Sequence, residues 1–254
     1  MKIIVACHKE YWKISDPLYL YVSVGDALRK KTISGMISDG TGDNISGKNR
    51  SFCELTALYW AWKNLDEDCL GLCHYRRYFA GKRFGKKNQR ILSSEQAKKL
   101  IQQVPVILPK PRRYWIETNF SQYVHAHHAE DLETTRKILE EVYPDYLPSY
   151  DRIMEKTYGH RFNMLLMRRD IFDAYCTWLF DVLFRLEGQL DISDYSEKDQ
   201  RVFGYVSERL LDVWLDTNQI DYKEVPVVNL ESQHWLKKGT AFLLRKLHGS
   251  RSSG

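Results

Sequence analysis

The chain has 254 residues, 43% of them hydrophobic and 13% aromatic, with 38 Lys and Arg against 33 Asp and Glu for a formal charge of +5. That length and apolar content exclude a disordered chain and suffice for one large α/β domain with a real core. The modest positive excess favours anionic partners such as nucleotides, phosphorylated lipids or an acidic membrane face, and does not demand nucleic acid.

Residues 2–7 form an uninterrupted β-branched run that reads as a buried strand, and it stops at His8-Lys9. Polar groups at the carboxyl end of a first strand are placed to touch a nucleotide, with a solvated strand end as the alternative reading. The run is too short for the apolar region of a secretory signal, and no apolar stretch in the chain has the length to span a bilayer. The five cysteines are odd in number, lack a Cys-x-x-Cys pair and sit mostly in apolar runs (Cys7, Cys69, Cys73, Cys176). They read as reduced core thiols, which points to a cytoplasmic setting. Residues 19–25 give a second strand, followed by a basic, solvated Arg29-Lys-Lys.

Residues 39–79 carry the densest chemistry. The loop Asp-Gly-Thr-Gly-Asp-Asn-Ile-Ser-Gly-Lys-Asn combines glycines, which let backbone N–H groups approach a ligand, with Asp39, Asp43, Asn44, Lys48 and Asn49. It reads as ligand-facing and empties into a helix capped by Asn49 or Ser51, with Leu55, Leu58, Tyr59 and Trp62 on one stripe. Glu54 lies on the first turn of that helix. The strand Cys-Leu-Gly-Leu-Cys then ends abruptly in His74-Tyr-Arg76-Arg77. Ligands of open α/β sheets sit beyond strand ends, and paired guanidiniums fork onto phosphate oxygens, so a diphosphate is the natural partner. The competing reading pairs Arg76 and Arg77 with Asp66 and Asp68 or with solvent.

Residues 81–90 are a basic, glycine-containing mobile loop, residues 94–103 a capped helix and residues 104–108 a strand ended by Pro109 and Pro111. The alternation of strand and helix marks an α/β fold. Residues 114–150 are rich in aromatics and histidines, including His125, His127 and His128. Without positioned carboxylates or thiolates they make a weak metal motif, and sugar binding by imidazole and aromatic groups is the preferred functional reading. Residues 162–168 read as a strand with one polar member, Asn163, which needs a partner such as a sugar hydroxyl. Residues 171–186 make a core helix. Ser196 to Asp199 have capping-box spacing and open a helix over 200–215, where Glu208 lies beside apolar neighbours, one turn from Arg201. A carboxylate so placed has a raised pKa and suits a general base, with Asp199 as competitor. Residues 225–228 close the pattern as a strand. Residues 234–248 are basic and amphipathic, fit for a membrane interface or for docking as an ordinary helix, and residues 249–254 read as a disordered or appended end.

The runs Gly-Asp-Asn-Ile-Ser-x-Lys-Asn, Cys-Glu-Leu-Thr-Ala-Leu-Tyr-Trp-Ala-Trp-Lys-Asn and Gly-Leu-x-His-Tyr-Arg-Arg-Tyr-Phe resemble a family of bacterial capsule and exopolysaccharide glycosyltransferases. The family was long catalogued as a domain of unknown function, and some members are galactofuranosyltransferases. The resemblance extends to Phe-Asn-Met-Leu-Leu-Met from residue 162, to Tyr-Cys-Thr-Trp-Leu-Phe from 175 and to Arg-Val-Phe-Gly-Tyr-Val-Ser-Glu-Arg-Leu-Leu from 201. It implies a single nucleotide-diphosphosugar transferase-like, GT-A-like α/β domain over residues 1–231, with a mostly parallel central sheet. A donor half would cover about 1–112, and a helical acceptor and catalytic half about 113–231. It further implies inverting transfer, with galactofuranose from UDP-galactofuranose as donor sugar, in capsule, exopolysaccharide or O-antigen synthesis.

Within that reading, Glu208 or Asp199 serves as base, and His8, Lys9, Asp39, Asp43, Asn44, Lys48, Asn49, Glu54, His74, Arg76 and Arg77 bind the donor. His125, His128, Asn163 and Arg201 bind the acceptor, expected to be a lipid-linked oligosaccharide met peripherally at the inner membrane face. Such enzymes usually place an Asp-x-Asp metal motif where this chain has His74-Tyr-Arg-Arg. Transfer without a metal is therefore expected, with a divalent cation on Asp39 and Asp43 as the fallback. The rival readings are a polysaccharide-binding module without chemistry and a metal-dependent nucleotidyltransferase.

Overall fold

Alternation along the strands sorts the core into two layers, because successive side chains of a strand point to opposite faces of its sheet. The computed structural model describes residues 1–231. The basic segment 232–248 and the tail 249–254 lie outside the described residues. The strands are β1 (Lys2–Cys7), β2 (Tyr19–Ser23), β3 (Ile37–Ser38), β4 (Cys69–His74), β5 (Arg77–Phe79), β6 (Val106–Pro109), β7 (Arg112–Arg113), β8 (Tyr158–Gly159), β9 (Leu165–Arg168), β10 (Tyr222–Val225) and β11 (Val227–Asn229). Helices intervene as α1 (Asp26–Arg29), α2 (Asn49–Phe52), α3 (Leu55–Asn64), α4 (Ser94–Gln103), α5 (Asn119–Val124), α6 (Ala129–Val142), α7 (Leu147–Glu155), α8 (Arg169–Gln189) and α9 (Val202–Thr217).

The main sheet runs β10-β6-β9-β4-β1-β2-β3, with β5 added on β4 and β11 on β5, while β7 and β8 form a separate ribbon. β1 is parallel to β2 and β4, β2 to β3, and β10 to β6, whereas β9 is antiparallel to both β4 and β6. Six of the seven strands on that path therefore point the same way. The carboxyl ends of β1, β4 and β6 share one edge. Ile4, Ala6, Leu70, Leu72, Val106, Leu108, Leu165 and Met167 face a core built with α3, α6, α7, α8 and α9. Ile3, Val5, Cys7, Cys73, Ile107 and Leu166 face the other, closed by α4, β5 and β11. Near-continuous apolar strands are what a sheet covered on both faces requires.

Gly71 in β4 lets β9 pass closely, since a Cβ there would lie 2.5 Å from the Leu165 carbonyl oxygen. The cysteines are free thiols, and burial pushes that of Cys7 up to about 12.

Three boundaries depart from the sequence reading. The helix expected after Asn49 is broken at Cys53, which takes φ 53°. The strand expected from residue 162 begins only at Leu165, because Phe162 and Asn163 adopt φ 76° and 52°. The helix expected from residue 200 starts at Val202 after a 3-10 turn over Asp199–Arg201. Non-glycine residues at such φ are costly and persist where surrounding contacts over-determine them.

Candidate active site

A cleft of about 760 Å³ opens at the shared carboxyl edge of β1 and β4. Its floor is Ala6, His8 and the β4–β5 turn from His74 to Arg77; one wall is Asn49, Arg50, Cys53 and Glu54 at the broken helix. The facing wall is Phe162 with Lys198, Arg201, Gly204, Tyr205 and Glu208 at the start of α9. Arg201, Tyr205 and Glu208 are spaced four and three residues apart, so they share one face of the helix while Val202, Phe203, Val206 and Leu210 enter the core. α9 approaches the break closely, because a Cβ on Gly204 would stand 3.2 Å from the Cys53 side chain.

The turn at Phe162 is clamped from three sides. Its N–H donates to Glu208 Oε1 at 3.0 Å and its carbonyl accepts from His74 Nε2 at 2.6 Å. The next residue, Asn163, donates to Glu54 Oε1 (2.8 Å) and to the Gly204 carbonyl (3.0 Å) and accepts from Ser207 Oγ (2.8 Å). These bonds hold the positive φ values. They also place the carboxylates of Glu54 and Glu208 on either side of the cleft. Asn163 is thus buried and engaged by protein groups at both ends of its amide.

Arginine dominates the electrostatics. Arg77 is half-buried with its guanidinium 4.3 Å above the Phe162 ring, and its Nε is buried without a hydrogen-bond partner among the described residues. Burial first, then Arg76, pulls its pKa below the ordinary arginine value, while Glu208 and Glu54 oppose them. Among the described residues it makes no close ion pair, and its counter-charge comes only from Glu208 and Glu54 at longer range. Neither arginine pairs with Asp66 or Asp68; Arg76 instead meets Glu231, Nη1 to Oε2 at 3.0 Å, and Lys9 Nζ lies 3.6 Å from Oε1 of the same carboxylate. Arg76 holds the Glu231 carboxyl below the usual range. Replacing Glu231 with Gln removes the negative charge that both cations meet, and pyrophosphate binding by calorimetry is expected to tighten about two- to fivefold, the scale of an exposed pair. His8 packs edge-on against Tyr75 at 5.0 Å, its pKa lowered by burial, then by Lys9 and Arg76.

The structure gathers His8, Asn49, Glu54, His74, Arg76, Arg77, Arg201 and Glu208 at the cleft and leaves Lys9 at its rim. Others of the expected set go elsewhere. Asp39 turns inward: its oxygens accept from the Gly25 and Asp26 amides and from the hydroxyls of Ser46 and Thr56, at 2.5–3.2 Å. Fully saturated, it organises the loop instead of facing a ligand or a cation. Asp43 accepts from Tyr59 Oη, Asn44 bonds its own loop and Lys48 pairs with Glu187. His125 pairs with Glu117, and His128 stacks on Tyr195 at 3.9 Å. Asp199 accepts from His127 Nδ1 (2.8 Å) and Ser196 Oγ (2.6 Å), which hold its carboxyl below the usual range. Among the described residues no group of three or more His, Cys, Asp or Glu is placed to hold a metal ion.

The sequence reading missed Arg50, Cys53, Tyr75, Phe162, Lys198 and Tyr205 as cleft residues. Tyr205 alone had a signal, its helical spacing from Arg201 and Glu208. Also missed was a buried polar frame behind the cleft. There Asp212 accepts from the His160 amide (2.9 Å) and Nδ1 (2.5 Å), and Arg161 donates to the Glu208 carbonyl (3.1 Å) and to Tyr114 Oη (2.8 Å).

The model of a family described as a domain of unknown function, DUF4422, matches residues 2–219. The apo structure of the bifunctional glycosyltransferase WbbM superposes with a TM-score of 0.85 at 28% identity over 91% of this chain. The match covers 45% of the WbbM chain, so this chain spans less than half of that protein. No match was found among curated proteins. With its mostly parallel sheet, the architecture is the GT-A-like α/β fold.

Proposed function

The chain belongs to the DUF4422 family, and we propose that it is an inverting glycosyltransferase acting on a nucleotide diphosphosugar. The observation that carries this reading is Arg77, a half-buried cation at a strand-end cleft whose Nε has no partner among the described residues and which feels the charge of Glu208, another residue of the cleft. A diphosphate leaving group supplies close counter-charge to this guanidinium, and guanidiniums fixed where charge develops are an effective form of stabilisation. The cleft volume suits a nucleotide sugar. The likeness to WbbM, a bifunctional glycosyltransferase, supports the same class.

In this mechanism Glu208 removes the proton of the acceptor hydroxyl. The new bond forms at the anomeric carbon from the face opposite the diphosphate. The electron pair of the breaking C–O bond passes to the diphosphate, held by Arg77 and Arg76. Glu54 and His74 border the donor. The clamp takes the place of a divalent cation, which accords with Asp39 being saturated and Asp43 lying outside the cleft. UDP-galactofuranose is the proposed donor and a lipid-linked oligosaccharide of capsule, exopolysaccharide or O-antigen synthesis the proposed acceptor, met at the inner membrane face. No helix among the described residues is long and apolar enough to cross a membrane.

The test is a melting-temperature panel of nucleoside diphosphates and nucleotide sugars with and without chelator. Ligands that bind the folded state raise its melting temperature by mass action. UDP and UDP-galactofuranose are expected to raise it in chelator. No shift from any nucleotide overturns the transferase reading, and a shift only with divalent metal overturns the arginine clamp.

A further inference from the structure

Trp115 and Ile116 are 83% and 79% exposed, beside the 37%-exposed Phe120. They sit at the tip of the loop that leaves β6, and Trp115 is held at φ 65°, a conformation bulky side chains rarely adopt. The loop is braced, not loose. Arg112 and Arg113 pair in β7 with Gly159 and Tyr158, the Tyr114 amide donates to the Thr157 carbonyl, and Thr118 and Ser121 form a capping box on α5. Just before the two apolar side chains in the chain, Lys110, Arg112 and Arg113 are all exposed and none is in an ion pair among the described residues, whereas half-buried Lys156 pairs with Asp216. Arg112 and Arg113 lie over the rings of Tyr114 and Tyr158, with no carboxylate among the described residues in an ion pair with them. The local acid, Glu117, is taken by His125.

We infer that this tip docks the protein on an anionic lipid surface. Two apolar side chains at an apex are too small a patch for a stable protein interface, which buries about 800 Å² per partner. Tryptophan close in the chain to arginine and lysine is instead suited to the headgroup layer, the ring entering while the cations meet lipid phosphates. Position agrees with this. The loop springs from the carboxyl end of β6, the edge of the sheet at which the cleft opens. It is tied to the cleft wall by the bond from Arg161 to Tyr114, Arg161 also holding the Glu208 carbonyl. A surface met by the tip thus lies on the side from which a lipid-linked acceptor arrives; this purpose rests on the proposed function, while the docking itself does not.

The test uses the full chain, sedimented with vesicles of phosphatidylcholine alone or with phosphatidylglycerol. Each basic residue near such a surface contributes roughly fivefold to partitioning at low salt. Wild type is expected to favour the anionic vesicles. Trp115→Asn with Ile116→Ser, and Arg112→Glu with Arg113→Glu, should each lower partitioning by at least about tenfold. Their UDP-induced melting shifts should stay intact. Absence of partitioning by wild type overturns the inference, as does partitioning of the variants equal to wild type, which assigns the contact to another surface. A change confined to oligomeric state assigns the tip to a second copy and overturns it too. Failure on vesicles with the UDP shift present leaves the transferase reading standing, and loss of the UDP shift in wild type sinks only that reading.

Discussion

Arg77→Ala is expected to lower kcat/KM for glycosyl transfer by about 10²–10³-fold, the cost of removing one fixed donor at a charge-developing centre. Arg76→Ala should cost less. Arg76 is 39% exposed and already meets Glu231, so solvent and a carboxylate weaken what it offers an incoming diphosphate, whereas Arg77 is half-buried and its Nε has no partner among the described residues. Arg77→Lys retains charge but loses the planar fork, and an intermediate rate is expected. The apo protein should fold normally in all three, since deleting Arg77 removes a cation whose burial is unfavourable. Its melting temperature without ligand controls for structural damage. Initial rates within a few-fold of wild type for Arg77→Ala, with the UDP shift retained, would remove the clamp from the mechanism.

What the sequence made legible were places where a strong local pattern is broken by one residue type. The runs ending at His8 and His74 are apolar until the sheet edge and polar beyond it, and both edges line the cleft. In the glycine- and Asx-rich loop from Asp39 only Asn49 reaches the cleft; composition cannot distinguish polar groups that wait for a ligand from groups that satisfy one another. The partners of Asp39 include Thr56, seventeen residues on, which no local window reveals. The break at Cys53 carries neither proline nor glycine at its own position; what meets it there is α9, distant in sequence, where a Cβ on Gly204 would stand 3.2 Å from the Cys53 side chain. Arg161 and Arg209 are 4% exposed, where charged residues are rarely found. Three of their partners, Tyr114, Asn119 and Gln122, come from one distant helix and the loop before it. Of the three clustered histidines, His125, at the end of α5, goes to Glu117, while His127 and His128, which lead into α6, both approach Asp199.

Glu208→Gln separates binding from chemistry. The amide oxygen of Gln can still accept from the Phe162 N–H, so the clamped turn and the neighbouring Glu54–Asn163 bond should survive. The base is lost. Transfer is expected to fall by about 10²–10⁴-fold, the range attributed to general base catalysis, while the UDP-induced melting shift stays at its wild-type value. Asp199→Asn is the matched control. Its carboxylate is occupied by His127 and Ser196 and held below the usual range, so it is a poor proton acceptor at neutral pH. Its loss should alter the entry to α9 and cost under about tenfold, since surface capping contacts are worth on the order of 1 kcal/mol. The reverse ranking, with Asp199→Asn inactive and Glu208→Gln active, would move the base to the 3-10 turn. His127, which stacks on Tyr205 at 4.2 Å, would then be the group that orients it.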